Sequence, residues 1–171
     1  MPDDRYITQH IITGFGHLDH LGVKSVRNDY KTWDMVRDGV RYLDNRIDED
    51  YDWIVKHDKI HMNEDHLSYY AIQYLYARSF FKDVVMAEKN KTAYEYYSGQ
   101  AKKYWLNKGR YMQGMIALSL FRADEKSIVA KDIMKSLKET AIVNEEMGMY
   151  WKENYDGFYW YQAPIESQAL L

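Results

Sequence analysis

Residues 3 to 163 contain no proline; only Pro2 and Pro164 occur in the 171-residue chain. Proline fixes φ and deletes a backbone donor, so it interrupts helix interiors. At an average usage of about 5%, a stretch of this length would hold roughly eight. Their absence predicts a chain built of uninterrupted helices. With 46% hydrophobic residues, a domain of this size can bury roughly two-thirds of its unfolded surface. The length fits a single domain, residues 1–171. The net charge of −3 gives no support to a basic nucleic-acid binder. No run approaches the ~18 apolar residues of a membrane span, which argues against direct membrane insertion. Cysteine is absent, excluding disulfides, thiolate metal sites, a Cys nucleophile and an internal thioester within these residues.

The apolar spacing places the helices. Ile7, Ile11, Ile12, Phe15, Leu18 and Leu21 fall at helical intervals over residues 5–22, and Gly22 stands where a C-cap glycine belongs. Trp33, Val36, Val40, Leu43 and Ile47 step by three and four between charged residues, giving a one-sided amphipathic helix that can run toward Ile54. Residues 64–81 carry Leu67, Ile72, Leu75, Phe80 and four tyrosines on every side of the wheel, the mark of a helix surrounded by protein. Asn63 is read as a cap before it. Thr92 with Glu95 predicts a capping box ahead of a stripe of Tyr94, Tyr97, Ala101, Tyr104 and Trp105. Met112 to Phe121 is again apolar nearly all round. Ala130, Ile133, Met134, Leu137 and Ala141 form a narrow stripe for which Asp124 is the expected N-cap.

An all-round apolar helix followed by a one-sided one therefore recurs in about three hairpins. Ile72–Arg78 aligns with Ile116–Arg122 at a shift of 44 residues, within the range of helix-pair repeats. Such alternation suits a two-layered α/α array, with inner helices contacted by several neighbours and outer ones on one face. A closed α/α toroid and an open arc or solenoid both satisfy it. Pro164 is expected to open a further buried helix. Between them, two aromatic runs flank Asp156-Gly157, a hairpin signal that predicts a short aromatic β-hairpin near the C-terminus. The N-terminus lacks the basic and apolar regions of a secretion signal. The apolar run at Ala169, Leu170 and Leu171 stops where a helix has barely begun, so the chain reads as part of a longer protein.

Sites of chemistry are sparse. His10, His17 and His20 lie near one helix face, and His57, His61 and Asp65 are spaced by four, but neither set carries a metalloenzyme spacing. Neither is assigned a metal. No Gly-x-Ser-x-Gly or phosphate-cradling loop occurs, no cofactor is implied, and Gly14 and Gly16 are read as close-packing positions. Asp156 and Glu166 beside Tyr150, Trp151, Tyr159, Trp160 and Tyr161 are what a glycoside-cleaving site would need, two carboxylates next to sugar-stacking rings. Turn formation by Asp156 and a first-turn helix position for Glu166 account for the same residues structurally. A glycoside hydrolase or polysaccharide lyase of the α/α-toroid kind is the alternative function, and a solenoid interaction module a third.

Three stretches resemble the bacterial alpha-2-macroglobulin family in the form found in large Bacteroidetes surface proteins. They are Asp4–Leu18 with Leu21-Gly-Val23, Tyr74–Phe80, and Ser136–Ala141 through Gly148–Trp151 to Trp160-Tyr-Gln-Ala-Pro-Ile-Glu-Ser-Gln-Ala-Leu170. The last is the most specific. The resemblance implies a piece of that family's thioester-type α/α-toroid domain within a multidomain inhibitor of endopeptidases, outside the cytoplasm in the periplasm or at the outer-membrane surface. Its implied partners are other domains of the same parent chain and, through the parent, target proteases that become trapped after cutting a bait region. The family's Cys-x-Glu-Gln motif has no counterpart: Gln168 follows Glu166 and Ser167 without any Cys. No catalytic residue is carried over, and in the family that motif lies N-terminal to the region resembling Asp4–Thr8. Tyr150, Trp151, Tyr159, Trp160 and Tyr161 are then the candidate aromatic surface at the toroid's mouth, where water could be excluded.

Overall fold

The structure is a computed structural model that describes residues 4–146, 148–151 and 168–171. It is all-α with one short antiparallel β-hairpin near the C-terminus. The chain divides into two compact units, Met1–Lys103 and Tyr104–Leu171.

The first unit begins with α1 (Arg5–His20), whose N-cap Asp4 accepts from the Ile7 amide. Gly22, at φ +81°, ends it: its amide donates to Asp19 O and that of Val23 reaches back to Leu18 O, the paired bonds of a Schellman motif that only glycine closes without strain. A short α2 (Ser25–Asn28) leads to the 28-residue α3 (Tyr30–His57), capped by Asp29 and running past Ile54. α4 (Tyr69–Ser79) and α5 (Glu88–Tyr104) complete the unit.

α1 packs on both α3 and α4, but not along the stripe its apolar spacing predicts. The buried positions are Gln9, Ile12, Thr13 and Gly16, while Ile7, Ile11 and Leu18 stand at solvent. Polar side chains succeed there because α4 supplies partners for Gln9 Nε2 and Thr13, although Gln9 Oε1 is buried without a hydrogen bond among the described residues. Thr13 Oγ1 donates to Gln9 O, Gln73 Nε2 to Thr13 Oγ1, and Gln9 Nε2 to Tyr70 O, at 2.8 to 3.0 Å. Gly16 lies so close to Phe80 that an added Cβ would come within 2.5 Å of its Cγ. Gly14 has open space instead, so only one of the two helical glycines is a packing position.

The all-round apolar helix is confirmed in character and shortened in extent. Every residue of α4 from Ala71 to Ser79 is buried, yet the helix starts at Tyr69 rather than 64. Ser68, not Asn63, caps it by accepting from the Ala71 amide. Upstream, the Gln100 side chain accepts from the His66 amide and the Asp65 carboxylate from the Leu67 amide, which keeps 65–68 out of the helix. Thr92 is likewise not a cap: α5 begins a turn earlier, where Glu88 and Lys91 pair along the helix. Its buried stripe runs through Ala93, Tyr97, Gln100 and Ala101.

In the second unit, α6 (Arg110–Ala123) packs along α7 (Ile128–Glu139). α6 buries Gly114 to Ala117, Ser119 and Leu120 but leaves Phe121 48% exposed, so it is less enclosed than its composition predicts. The cap of α7 is Ser127, accepting from the Ala130 amide, and Asp124 serves the preceding turn through the Lys126 amide. The buried stripe of α7 is Ala130, Ile133 and Leu137; Met134 is 51% exposed and Ala141 lies beyond the helix.

Strands β1 (Ile142–Asn144) and β2 (Gly148–Tyr150) pair with Val143 opposite Met149. The aromatic segment starting at Gly148 thus pairs backward onto residues 142–144. The expected turn at Asp156-Gly157 and the expected helix start at Pro164 lie outside the described residues. Residues 168–170 form a last helical turn, from which Leu171 touches α6 at Gly114.

Candidate functional site

Two features could hold a partner or carry chemistry: an apolar groove in the second unit and a set of polar clusters in the first. The groove is a cavity of about 510 Å³ between α6, α7, the hairpin and residues 170–171. It adjoins a recess of about 400 Å³. Both are lined by Leu118 of α6 and Met134 of α7, so they lie side by side along these two helices. Phe121 extends the recess along α6, and Trp151 closes the hairpin side of the cavity.

Trp151 is 5% exposed. Its indole N–H donates 2.8 Å to Leu137 O, one of the carbonyls a helix's last turn leaves without an internal partner. The side-chain amide of Gln168 donates to Trp151 O at 3.2 Å and ties the last helical turn to the hairpin. Of the five aromatic residues singled out in the sequence, Trp151 therefore forms part of the packing, and Tyr150 is half-buried at the end of β2. Tyr159, Trp160 and Tyr161 lie outside the described residues, as do Asp156 and Glu166.

The groove's remaining feature escaped the sequence reading. Lys131, Lys135 and Lys138, all exposed, line its edge. Their spacing of four and three puts them on one side of α7 beside Met134. That spacing was visible in the sequence, but Met134 was assigned to the core, which hid the significance of its neighbours.

In the first unit the histidines are dispersed. His17 faces Tyr76 and the Phe80 ring, His10 stacks edge-on with Tyr6, and burial lowers the His10 pKa. His57 stacks on Trp53. Residues 57–65 are not one helix, because α3 ends at His57 and a 3-10 turn follows at Lys59–His61. It is Asp58, not Asp65, that meets histidines here: one oxygen lies 2.5 Å from His61 Nδ1 and the other 3.3 Å from His66 Nε2. The far nitrogen of His66 contacts the Tyr96 hydroxyl at 2.6 Å. The hydrogen bond that the His61 ring donates to Asp58 raises the His61 pKa, and the same contact lowers that of Asp58. Among the described residues no group of three or more His, Asp or Glu is placed to share a metal ion.

A second buried cluster joins α3 to α4. Asp44 Oδ1 accepts from Arg78 Nε at 3.0 Å and from the Tyr74 hydroxyl at 2.7 Å. Burial pushes the Asp44 carboxyl up despite Arg78, and drives the Tyr74 phenol well above its usual value. Arg78 also donates to Phe81 O and Val84 O, clamping the chain that leaves α4. Every donor of this cluster is aimed at the protein itself, as in a structural tie rather than a reaction centre.

No family model, no curated protein and no solved structure matches the chain. No helix among the described residues is long and apolar enough to cross a membrane.

Proposed function

We propose that the chain is a non-catalytic helical domain of a bacterial alpha-2-macroglobulin-like inhibitor of endopeptidases, acting outside the cytoplasm. The observation that carries this reading is the aromatic run into Trp160-Tyr-Gln-Ala-Pro-Ile-Glu-Ser-Gln-Ala, whose resemblance to that family is specific where the helices are generic. An all-α fold with a short hairpin immediately before Trp151 is compatible with it. So is a first unit whose buried ionisable groups tie helices together. The α/α toroid arrangement and the role of other parent domains and trapped proteases as partners belong to the same proposal.

Trapping differs from active-site inhibition in a measurable way. A caged protease keeps its active site but loses access for large substrates. The full-length protein that contains this chain, mixed in excess with a serine and a metallo-endopeptidase, should suppress cleavage of a folded protein substrate while leaving hydrolysis of a short fluorogenic peptide largely intact. Unchanged cleavage of both substrates by both proteases overturns the proposal. Equal loss of both activities also overturns it, since that is blockade of the active site.

A further inference from the structure

We propose that the α6–α7 groove is a docking site for an acidic amphipathic helix of a protein partner. This does not rest on the inhibitor reading. The walls supply an apolar surface with helical periodicity on both sides: Leu118 and Phe121 from α6, Ala130 and Met134 from α7, with Trp151 at one end. Phe121 and Met134 stand half-exposed on the two walls of the recess, apolar area that a partner seated in it would remove from water. A trough between two packed helices accepts the ridge of a third. From Ala130 to Lys138 the groove follows about 12 Å of α7, at 1.5 Å per residue, roughly two turns of an occupant. That is the i, i+3, i+4, i+7 reading length of helix-in-groove recognition.

Charge decides which helix. Lys131, Lys135 and Lys138 run along the rim, and no Asp or Glu lines the groove among the described residues. Lys135 has Glu139 at 3.8 Å, but both are largely exposed, so that pair is weak and readily exchanged. A partner helix with leucine-type residues on one stripe and Glu or Asp beside it would place its carboxylates against this row. A basic helix would meet like charge, and complementarity of this kind selects between partners more than it adds affinity. An anionic membrane surface would also be attracted by three lysines. It has no ridge to enter a trough, however, whereas the observed site is concave.

The test uses the full chain and three dye-labelled helical peptides of about 18 residues: one with a leucine stripe flanked by Glu, one with every Glu replaced by Lys, and a scrambled control. Fluorescence anisotropy should show the Glu peptide binding at least about tenfold tighter than the Lys peptide near 50 mM salt. The preference should shrink at about 0.5 M salt, where screening is nearly complete within a few ångströms. The triple variant Lys131→Glu, Lys135→Glu, Lys138→Glu should invert the preference. Met134→Arg, at a half-exposed position, should abolish binding of both peptides while circular dichroism stays unchanged. The proposal is overturned by no binding of the Glu peptide, by equal binding of both charged peptides, or by binding that survives Met134→Arg. It is also overturned if anionic phospholipid vesicles bind in a Met134-dependent way and the peptides do not.

Discussion

Replacing Arg78 by Met keeps most of the side chain's length and apolar stem but removes the guanidinium from a place where it has no solvent substitute. The Arg78 side chain is 7% exposed and that of Asp44 1%. In the variant, Asp44 keeps a single donor, the Tyr74 hydroxyl, and its other oxygen, Oδ2, already has no hydrogen-bond partner among the described residues. Leaving one member of a buried ion pair behind costs about 3–5 kcal/mol. The carbonyls of Phe81 and Val84 lose the same donor group, at about 1 kcal/mol or more each where water cannot reach them. Arg78→Met should therefore remove about 5–7 kcal/mol, comparable to the whole stability of a small domain.

The double variant Asp44→Leu/Arg78→Met removes both charges and should recover about 2 kcal/mol or more of that loss, since its remaining costs are the two carbonyls and the Tyr74 hydroxyl. Urea unfolding followed by circular dichroism measures both, and the double variant supplies the answer if the single one does not fold. A pH series adds a sign. Burial raises the Asp44 pKa above its unfolded value, so the native state holds the proton more tightly than the unfolded one. The carboxyl's favourable contribution is then complete at low pH and lost as pH rises through the raised value. Without Arg78 the pKa moves up further, and the cost of Arg78→Met should be smaller at pH 5 than at pH 7.5. A cost under about 1 kcal/mol at neutral pH, or a double variant no more stable than Arg78→Met, refutes the account of this cluster.

Gly16→Ala should destabilise by about 1–3 kcal/mol as the new methyl pushes into Phe80. Gly14→Ala on the same helix, facing open space, should stabilise by up to about 1 kcal/mol, and thermal melts of the two variants read the contrast. Trp151→Ala should cost about 3–5 kcal/mol in urea unfolding. Trp151→Phe should cost much less, because the ring keeps most of its buried apolar area and the Thr140 hydroxyl, 3.0 Å from Ser136 O and 3.1 Å from Leu137 O, can turn its one proton to the vacated carbonyl. The imidazole of His61 should titrate above the ordinary histidine range in an NMR pH series and fall back toward it in Asp58→Asn, because the Asp58 hydrogen bond favours the charged ring. Its stabilising effect is present at low pH and lost as pH rises through the raised value. That of Asp58, whose pKa is lowered, is present at neutral pH and lost on acidification.

Helix existence was legible from the missing prolines and the apolar intervals, because both act within a turn or two of chain. The Gly22 stop and the run of α3 past Ile54 followed the same local physics. Two helix starts departed from their local signatures. Thr92-x-x-Glu95 has the form of a capping box, yet α5 already begins at Glu88, a turn upstream of Thr92, and buries Asn90. The helix start at 64 lost to Gln100, thirty-odd residues away, whose side chain accepts from the His66 amide and holds it outside the helix.

The deeper failure concerns polarity. Apolar spacing on α1 selects Ile7, Ile11 and Leu18 as the inward face, but Gln9 and Thr13 are inside, where the Tyr70 carbonyl accepts from Gln9 Nε2 and Gln73 donates to Thr13 Oγ1. A pattern of hydrophobicity ranks residues by transfer from water and cannot see a partner on another helix that cancels the cost of burial. The same blindness works in reverse on α7. Met134 belongs to the core by its side chain, and only the geometry of α6 leaves it beside Lys131, Lys135 and Lys138 in an open trough. In both helices the residues that break the binary pattern are those tied to something specific, a buried amide network in α1 and the groove in α7. Departures from pattern are accordingly the places to mutate first: Gln73→Leu should unsettle α1 through Thr13, whereas Met134→Arg should leave the fold intact and silence the groove.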